Sequence, residues 1–274
     1  MKFIIIGGDE RSVELCRALE REGHRVFPMA LDSALPYAGP PDFAGADCVV
    51  LPLPAEKGGF LNAPLSGGNY RLSELLERLP RGKTVFAGMA SASLRQFCRE
   101  KGLELRDYYE REELQSRNAV LTAEGAVALL LGADGGGLCS RRVLITGFGR
   151  IARALAPRLL AMGARVTVAA RSPAQRVWAE SMGCGALSLS EAAAAEKYDF
   201  VLNTVPAALF GRGEIAAFGD ARLIELASPP YGFDFAAAEA LGREITLASG
   251  LPSRCAPVAA AEAIRDTIFN MLEE

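Results

Sequence analysis

The sequence has one histidine and one tryptophan in 274 residues, and its six cysteines never fall in pairs. With a single histidine there is no His-rich constellation for a metal or a proton relay. His24 lies beside Gly23 in the turn before the second expected strand, at the end of the sheet away from any ligand edge. That position argues against the His–carboxylate acid–base pair expected of a 2-hydroxy-acid dehydrogenase. Cys16, Cys48, Cys98, Cys139, Cys184 and Cys255 form no Cys-x-x-Cys spacing, so neither a zinc site nor a redox disulfide is expected. The thiols read as mostly core in a reducing cytoplasm. Charge of one sign is also missing: the formal net charge of -3 gives no electrostatic case for nucleic acid or an anionic membrane surface. Long apolar runs are absent as well. The stretch GAVALLLGA falls well short of the ~20 residues that span a bilayer. The opening MKFIIIGGDE is too short for a signal-peptide core and reads as a first strand, so a soluble cytoplasmic protein is expected.

Half the residues are hydrophobic, enough over this length for two lobes with separate cores. Residues 2–7, 24–31, 47–54, 84–90 and 103–109 read as strands, with helices at 11–22, 72–79 and 93–101 between them and a Gly/Pro/Asn-rich loop from Ala55 to about residue 70. The alternation predicts an α/β chain with two doubly wound open sheets: a flavodoxin-like lobe over 1–117 and a Rossmann lobe over 137–250, with strands near 142–147, 165–170, 199–204, 222–227 and 244–248. A helix over 118–136, with Thr122 as its N-cap and glycines at its end, is expected to link the lobes, and residues 251–274 to return as an amphipathic helix that braces the first.

The stretch VLITGFGRIAR carries the chemistry. Strand runs into Gly147-Phe148-Gly149-Arg150-Ile151-Ala152 and helix follows, the setting in which a G-x-G-x-x-A pattern binds a dinucleotide. Gly147 permits the tight turn, Gly149 lets the backbone approach the pyrophosphate, and Ala152 allows close helix–strand packing. In NAD enzymes the next strand ends in an acid that holds the adenosine ribose. Here that position is Ala170, followed by Arg171 and Ser172. A guanidinium fork and a hydroxyl suit a 2′-phosphate, so the expected cofactor is NADP. Asn203, Thr204 and Pro206 follow the fourth strand and Ser228 the fifth, at the edge where the nicotinamide is expected. Arg11 at the first helix start, Asn118, Thr122 and Glu124 in the linking helix, and Arg254 in the last loop are candidates for binding substrate. For Thr122 and Glu124, helix capping is the competing reading. Nothing in the sequence singles out a catalytic base.

Taken in order, GGDERSVEL, LPLPAEKGGFLNAPL, NAVLTAEGA, GFGRIARALA with AARS, NTVP, LASPPYGFDF and GLPSRCAP resemble the dipicolinate synthase A-subunit family over essentially the whole chain. The resemblance implies a dehydrogenase of endospore formers that oxidises dihydrodipicolinate, or its hydrated precursor from the lysine pathway, to dipicolinate. It implies a nicotinamide cofactor, the mother-cell cytoplasm as location and, as partner, the synthase's flavoprotein-like B-subunit; a homo-oligomer stays open. The family's first-loop Gly-Gly-Asp-x-Arg falls on Gly7, Gly8, Asp9 and Arg11, and its hinge Thr-x-Glu-Gly on Thr122, Glu124 and Gly125. The chain departs from the family's Arg-Pro-Gly-Gly and Pro-Lys-Thr-Ala, reading Pro229-Pro230-Tyr231-Gly232 and Pro257-Val258-Ala259-Ala260. The missing arginine and lysine raise Arg11 and Arg254, one from each lobe, as the cations for two substrate carboxylates. The alternatives are a dehydrogenase of the alanine or 2-hydroxy-acid type and a nucleotide-sensing module without turnover.

Overall fold

The unbroken apolar run of strand β1 (Lys2–Ile6) is buried on both faces, as the middle of a parallel sheet requires. It belongs to a computed structural model that describes residues 1–36, 39, 41–133 and 136–274. Helix α1 (Glu10–Arg21) lays Val13, Cys16 and Leu19 on the core and is N-capped by Asp9. Strands β2 (Arg25–Met29) and β3 (Cys48–Val50), a small hairpin of β4 (Glu56–Lys57) and β5 (Phe60–Leu61), helix α2 (Leu72–Leu76), strand β6 (Thr84–Ala87), helix α3 (Ala92–Lys101) and strand β7 (Glu104–Asp107) follow. The five longer strands are parallel in the order β2-β1-β3-β6-β7, the flavodoxin-like arrangement.

Helix α4 (Glu112–Gly132) carries the chain from a first compact unit, residues 1–118 with 252–274, into a second, residues 119–251. It starts at Glu112, six residues before the expected 118. The segment EELQSRN has little apolar periodicity, yet Leu114 and Ala119 are buried by their neighbours. Thr122 is therefore a buried residue inside the helix and not its N-cap. Of the glycines expected to end this helix, Gly135 lies outside the described residues.

The second unit contains β8 (Arg142–Thr146), α5 (Arg150–Ala161), β9 (Arg165–Ala169), α6 (Pro173–Ser181), β10 (Gly185–Leu187), β11 (Phe200–Asn203), α7 (Arg212–Ala217), β12 (Arg222–Glu225), α8 (Phe235–Ala240) and β13 (Ile245–Leu247). Its six parallel strands run β10-β9-β8-β11-β12-β13, the doubly wound order of dinucleotide-binding folds. The sequence reading lacked β10. Three half-exposed edge residues show no usable alternation.

Helix α9 (Leu251–Cys255) and helix α10 (Pro257–Glu273) return to the first unit, where Ala261, Ile264 and Ile268 share the core of α1 and Arg265 pairs with Glu22 at 2.9 Å. Arg254, read from the sequence as the second lobe's arginine, thus belongs to the same unit as Arg11. Among the described residues no helix is long and apolar enough to cross a membrane.

Candidate functional site

In the second sheet the chain reverses direction of growth between β8 and β11, so the crevice beyond their carboxyl ends is where an open α/β sheet binds its ligand. Gly147 sits there with φ +81°, and a Cβ on it would lie 2.6 Å from Val205 Cγ2, so no other residue fits this turn. A Cβ on Gly149 would meet only open space, which leaves the backbone at the start of α5 approachable. Gly149 is also the N-cap and offers no side chain to the free amides of the first turn, so a phosphate can take them. Phe148 is different from its neighbours: its ring is buried in the core with Arg153 stacked 5.7 Å away, so only its backbone faces the turn. Arg150 is exposed, and Ile151 packs partly on the core.

At the end of β9, Ala170 is wholly buried where an NAD enzyme places its acid. The Arg171 guanidinium is exposed and has no partner among the described residues. Ser172 is the N-cap of α6 with Pro173 at the first helical position, but its hydroxyl makes no cap hydrogen bond and is likewise uncommitted.

Asn203 has no side-chain group left for a cofactor, and the Thr204 hydroxyl hydrogen is already committed. Asn203 is fully buried; its Oδ1 accepts from Thr146 Oγ1 at 2.6 Å and Val205 N at 3.1 Å, and its Nδ2 donates to Val205 O at 2.9 Å and Glu225 Oε1 at 2.6 Å. Thr204 Oγ1 donates to Thr146 O at 2.7 Å. Both residues build the edge from within, while Pro206 is exposed on it.

The residue the sequence reading missed is Glu225, at the end of β12 and completely buried. Its Oε1 accepts from Asn203 Nδ2 and Ala227 N, and its Oε2 from Gly232 N at 2.9 Å and Phe233 N at 3.3 Å. Burial pushes its carboxyl above the usual range, against the pull of these N–H groups. One side chain thereby ties the ends of β11 and β12 to the turn that bears exposed Ser228. The signal was an acid inside the apolar run ARLIELA. Gly232 belongs to this arrangement, because a Cβ there would fall 2.3 Å from Asn203 Nδ2. Gly232→Ala is expected to cost about 1–3 kcal/mol through displacement of Asn203, read from urea denaturation.

In the first unit the corresponding crevice lies between β1 and β3. Gly7 and Gly8 have φ of +69° and +105°, and a Cβ on Gly8 would overlap Ser12 Oγ at 2.0 Å. They lead into Asp9, whose Oδ1 accepts from Arg11 N and Nε and whose Oδ2 accepts from Arg11 Nη2 at 2.8 Å. Nη2 also donates to Leu53 O. Arg11 is therefore a buried, internally paired residue. Only its Nη1 has no partner among the described residues. Ser253 of α9 stands beside the Asp9 carboxylate, which brings the GLPSR stretch to the same place, and Arg254 next to it is exposed.

The structure does not assemble the remaining candidates here. Glu124 is exposed and pairs at 3.3 Å with Arg158 in the last turn of α5, the opposite end of that helix from the glycine turn. Asn118 is half-buried in α4. His24 is bonded to the N-terminal amine of Met1 at 3.2 Å and stacked on Phe269, at the amino end of β1.

Comparison with known proteins agrees with this geometry. Residues 2–109 match the family described as the dipicolinate synthase A-subunit N-terminal domain, and residues 107–217 match the NAD-binding domain of D-isomer specific 2-hydroxyacid dehydrogenases. The dipicolinate synthase A-subunit of Bacillus subtilis is 28% identical, with 100% of this chain and 96% of that protein aligned. The crystal structure of the same subunit from Bacillus halodurans superposes with a TM-score of 0.88 at 27% identity, covering 100% of this chain and 98% of the other. That of Bacillus subtilis gives 0.84 at 26% identity, covering 100% and 96%. The chain is thus a dehydrogenase-type protein with a nicotinamide-dinucleotide unit, and a relative of the dipicolinate synthase A-subunit over its whole length.

Proposed function

We propose that this chain is an NADP-dependent dehydrogenase subunit that oxidises dihydrodipicolinate, or its hydrated precursor, to dipicolinate in the cytoplasm of a sporulating cell, working with a second subunit. The bond oxidised is a CH–CH or CH–N bond of a dihydropyridine dicarboxylate. The observation that carries the cofactor half is the end of β9: buried Ala170 in place of an acid, with Arg171 and Ser172 beside it and uncommitted. NADP, when bound, supplies a hydride acceptor.

The protein's own part is binding and orientation, because aromatisation of the product provides the driving force. Gly147 and Gly149 admit the pyrophosphate to the α5 amides, and Arg171 and Ser172 meet the 2′-phosphate. The Asn203–Glu225 pair holds the edge loops still. In the first unit Nη1 of Arg11 donates to a substrate carboxylate, with its orientation already set by Asp9 and Leu53. The match over residues 107–217 also suits a 2-hydroxy-acid dehydrogenase, but the only histidine of this chain is held at the amino end of β1.

Titration of the purified chain is expected to show tighter binding of NADP than of NAD. Arg171→Ala should weaken NADP binding about ten- to hundredfold, the worth of a charge-assisted hydrogen bond, and leave NAD unchanged. Equal affinities in the unmodified chain would refute the cofactor assignment. Freshly made dihydrodipicolinate with NADP, with and without the partner protein, should yield dipicolinate and reduced cofactor; pyruvate or lactate turnover instead would favour the 2-hydroxy-acid reading.

A further inference from the structure

Cations gather at the wrong end of α6. The N-terminus of a helix carries positive partial charge, and acids there are stabilising while cations are not. The first turn of α6 holds no acid. Arg171 precedes it, and Arg176, four positions into the helix, folds back toward the same end. Its Nη1 donates to Ala170 O at 2.9 Å and Arg171 O at 3.1 Å, which fixes the backbone turn after β9. That leaves Nε and Nη2 with no partner among the described residues. The amides of Ala174 and Gln175 are first-turn donors outside the helix's own bonding, and the Ser172 hydroxyl is uncommitted. The Glu191 carboxylate feels the charge of Arg176, but it is already committed to Ser188 N at 2.9 Å and Ser188 Oγ at 2.5 Å. Neither Arg171 nor Arg176 forms an ion pair among the described residues.

We infer that Arg176 is a second specificity-determining cation of the nucleotide site, which holds the Arg171 backbone with Nη1 and presents its Nε–Nη2 edge to a ribose 2′-phosphate. This rests on the NADP reading above and extends it. A dianion neutralises two guanidinium groups and a helix N-terminus at once, whereas a ribose hydroxyl neutralises none of them. Arg171 alone, on a flexible exposed stem, loses side-chain entropy when it binds. Arg176 fixes the backbone turn from which Arg171 extends, so only the Arg171 side chain remains to be ordered on binding.

Adenosine 2′,5′-bisphosphate and 5′-AMP, which differ by the 2′-phosphate, separate these effects by calorimetry on the full chain. Arg176→Ala is expected to weaken the bisphosphate about tenfold and leave 5′-AMP unchanged, and Arg176→Lys, which keeps the charge, to recover part of the loss. Combination with Arg171→Ala should bring the two ligands to similar affinity. If Arg176→Ala binds the bisphosphate as the parent does while Arg171→Ala does not, the inference about Arg176 is wrong and the NADP reading stands. Equal loss for both ligands would mean that Arg176 only shapes the turn, which also overturns it. If the parent itself does not distinguish the two ligands, the NADP reading fails at its root.

Discussion

Replacing Glu225 by alanine is expected to lower the stability of the second unit by about 3–5 kcal/mol, because four N–H groups in a closed interior lose their acceptor together. The four come from three parts of the carboxyl edge: Asn203 Nδ2 on β11, Ala227 N just after β12, and Gly232 N and Phe233 N at the far side of the turn. The turn that carries Ser228 would then lose its anchor, so nucleotide affinity should fall with stability. Glu225→Gln tests the charge separately from the shape. It keeps one acceptor oxygen but sets an amide N–H₂ against two donors, so an intermediate loss is expected. Urea denaturation followed by nucleotide titration of the folded fraction gives both numbers. A Glu225→Ala protein of parental stability would show that water replaces the carboxylate at little cost.

The same residue has a pH signature. Its folded pKa is raised above the ordinary value of 4.5 by burial. In the window above that value the folded protein holds more protons at this site than the unfolded chain does. Stability contributed by this group therefore declines as pH rises through the window and levels off above the raised value. Glu225→Gln should remove that slope.

What the sequence made legible was what repeats locally. The glycine turn after β8, the absent acid at Ala170 and the alternation of strands and helices all depend on residues near one another in the chain, and they appear in the structure where the pattern puts them. What stayed hidden depends on partners far away. The internal pairing of Arg11 was hidden because nothing in GGDERS says that Leu53 O, 42 residues on, closes over its Nη2. Asn203 looked like a cofactor ligand because two of its four partners, Thr146 and Glu225, lie on β8 and β12. Glu225 showed only as an acid in ARLIELA: a buried carboxylate is recognised by what converges on it, and its donors lie at the end of β11, just after β12 and at Gly232 and Phe233. That Arg254 shares a unit with Arg11 was hidden too, because it depends on the chain leaving the second unit as early as Pro252, which spacing along the chain does not record.

Arg11 carries the second large effect, and its internal pairing changes how it must be tested. The guanidinium is buried, and its removal leaves the Asp9 carboxylate without the partner that compensates its own burial. Breaking such a pair costs about 3–5 kcal/mol. Arg11→Ala is therefore expected to destabilise the first unit as well as to lose substrate, and a loss of activity in that variant alone says little. Arg11→Lys is the informative substitution. It keeps the charge but cannot hold Asp9 through Nε and Nη2 while it presents Nη1, so dipicolinate binding should weaken about ten- to hundredfold with NADP affinity intact. Arg254→Ala, in water, should cost no more than about fivefold. The pair has its own pH dependence: burial pushes the Asp9 carboxyl up, but the hydrogen bonds and charge of Arg11 outweigh burial and hold it below its ordinary 3.8. Its stabilisation is complete above 3.8 and is lost as pH falls through the lower folded value, so Asp9→Asn should abolish that acid limb. Calorimetry with dipicolinate, beside acid unfolding of the Asp9→Asn variant, checks both statements. Parental dipicolinate binding by a folded Arg11→Lys protein would exclude Nη1 of Arg11 as the carboxylate's donor and leave the amides of Asp9 and Glu10, at the start of α1, as the groups to test next.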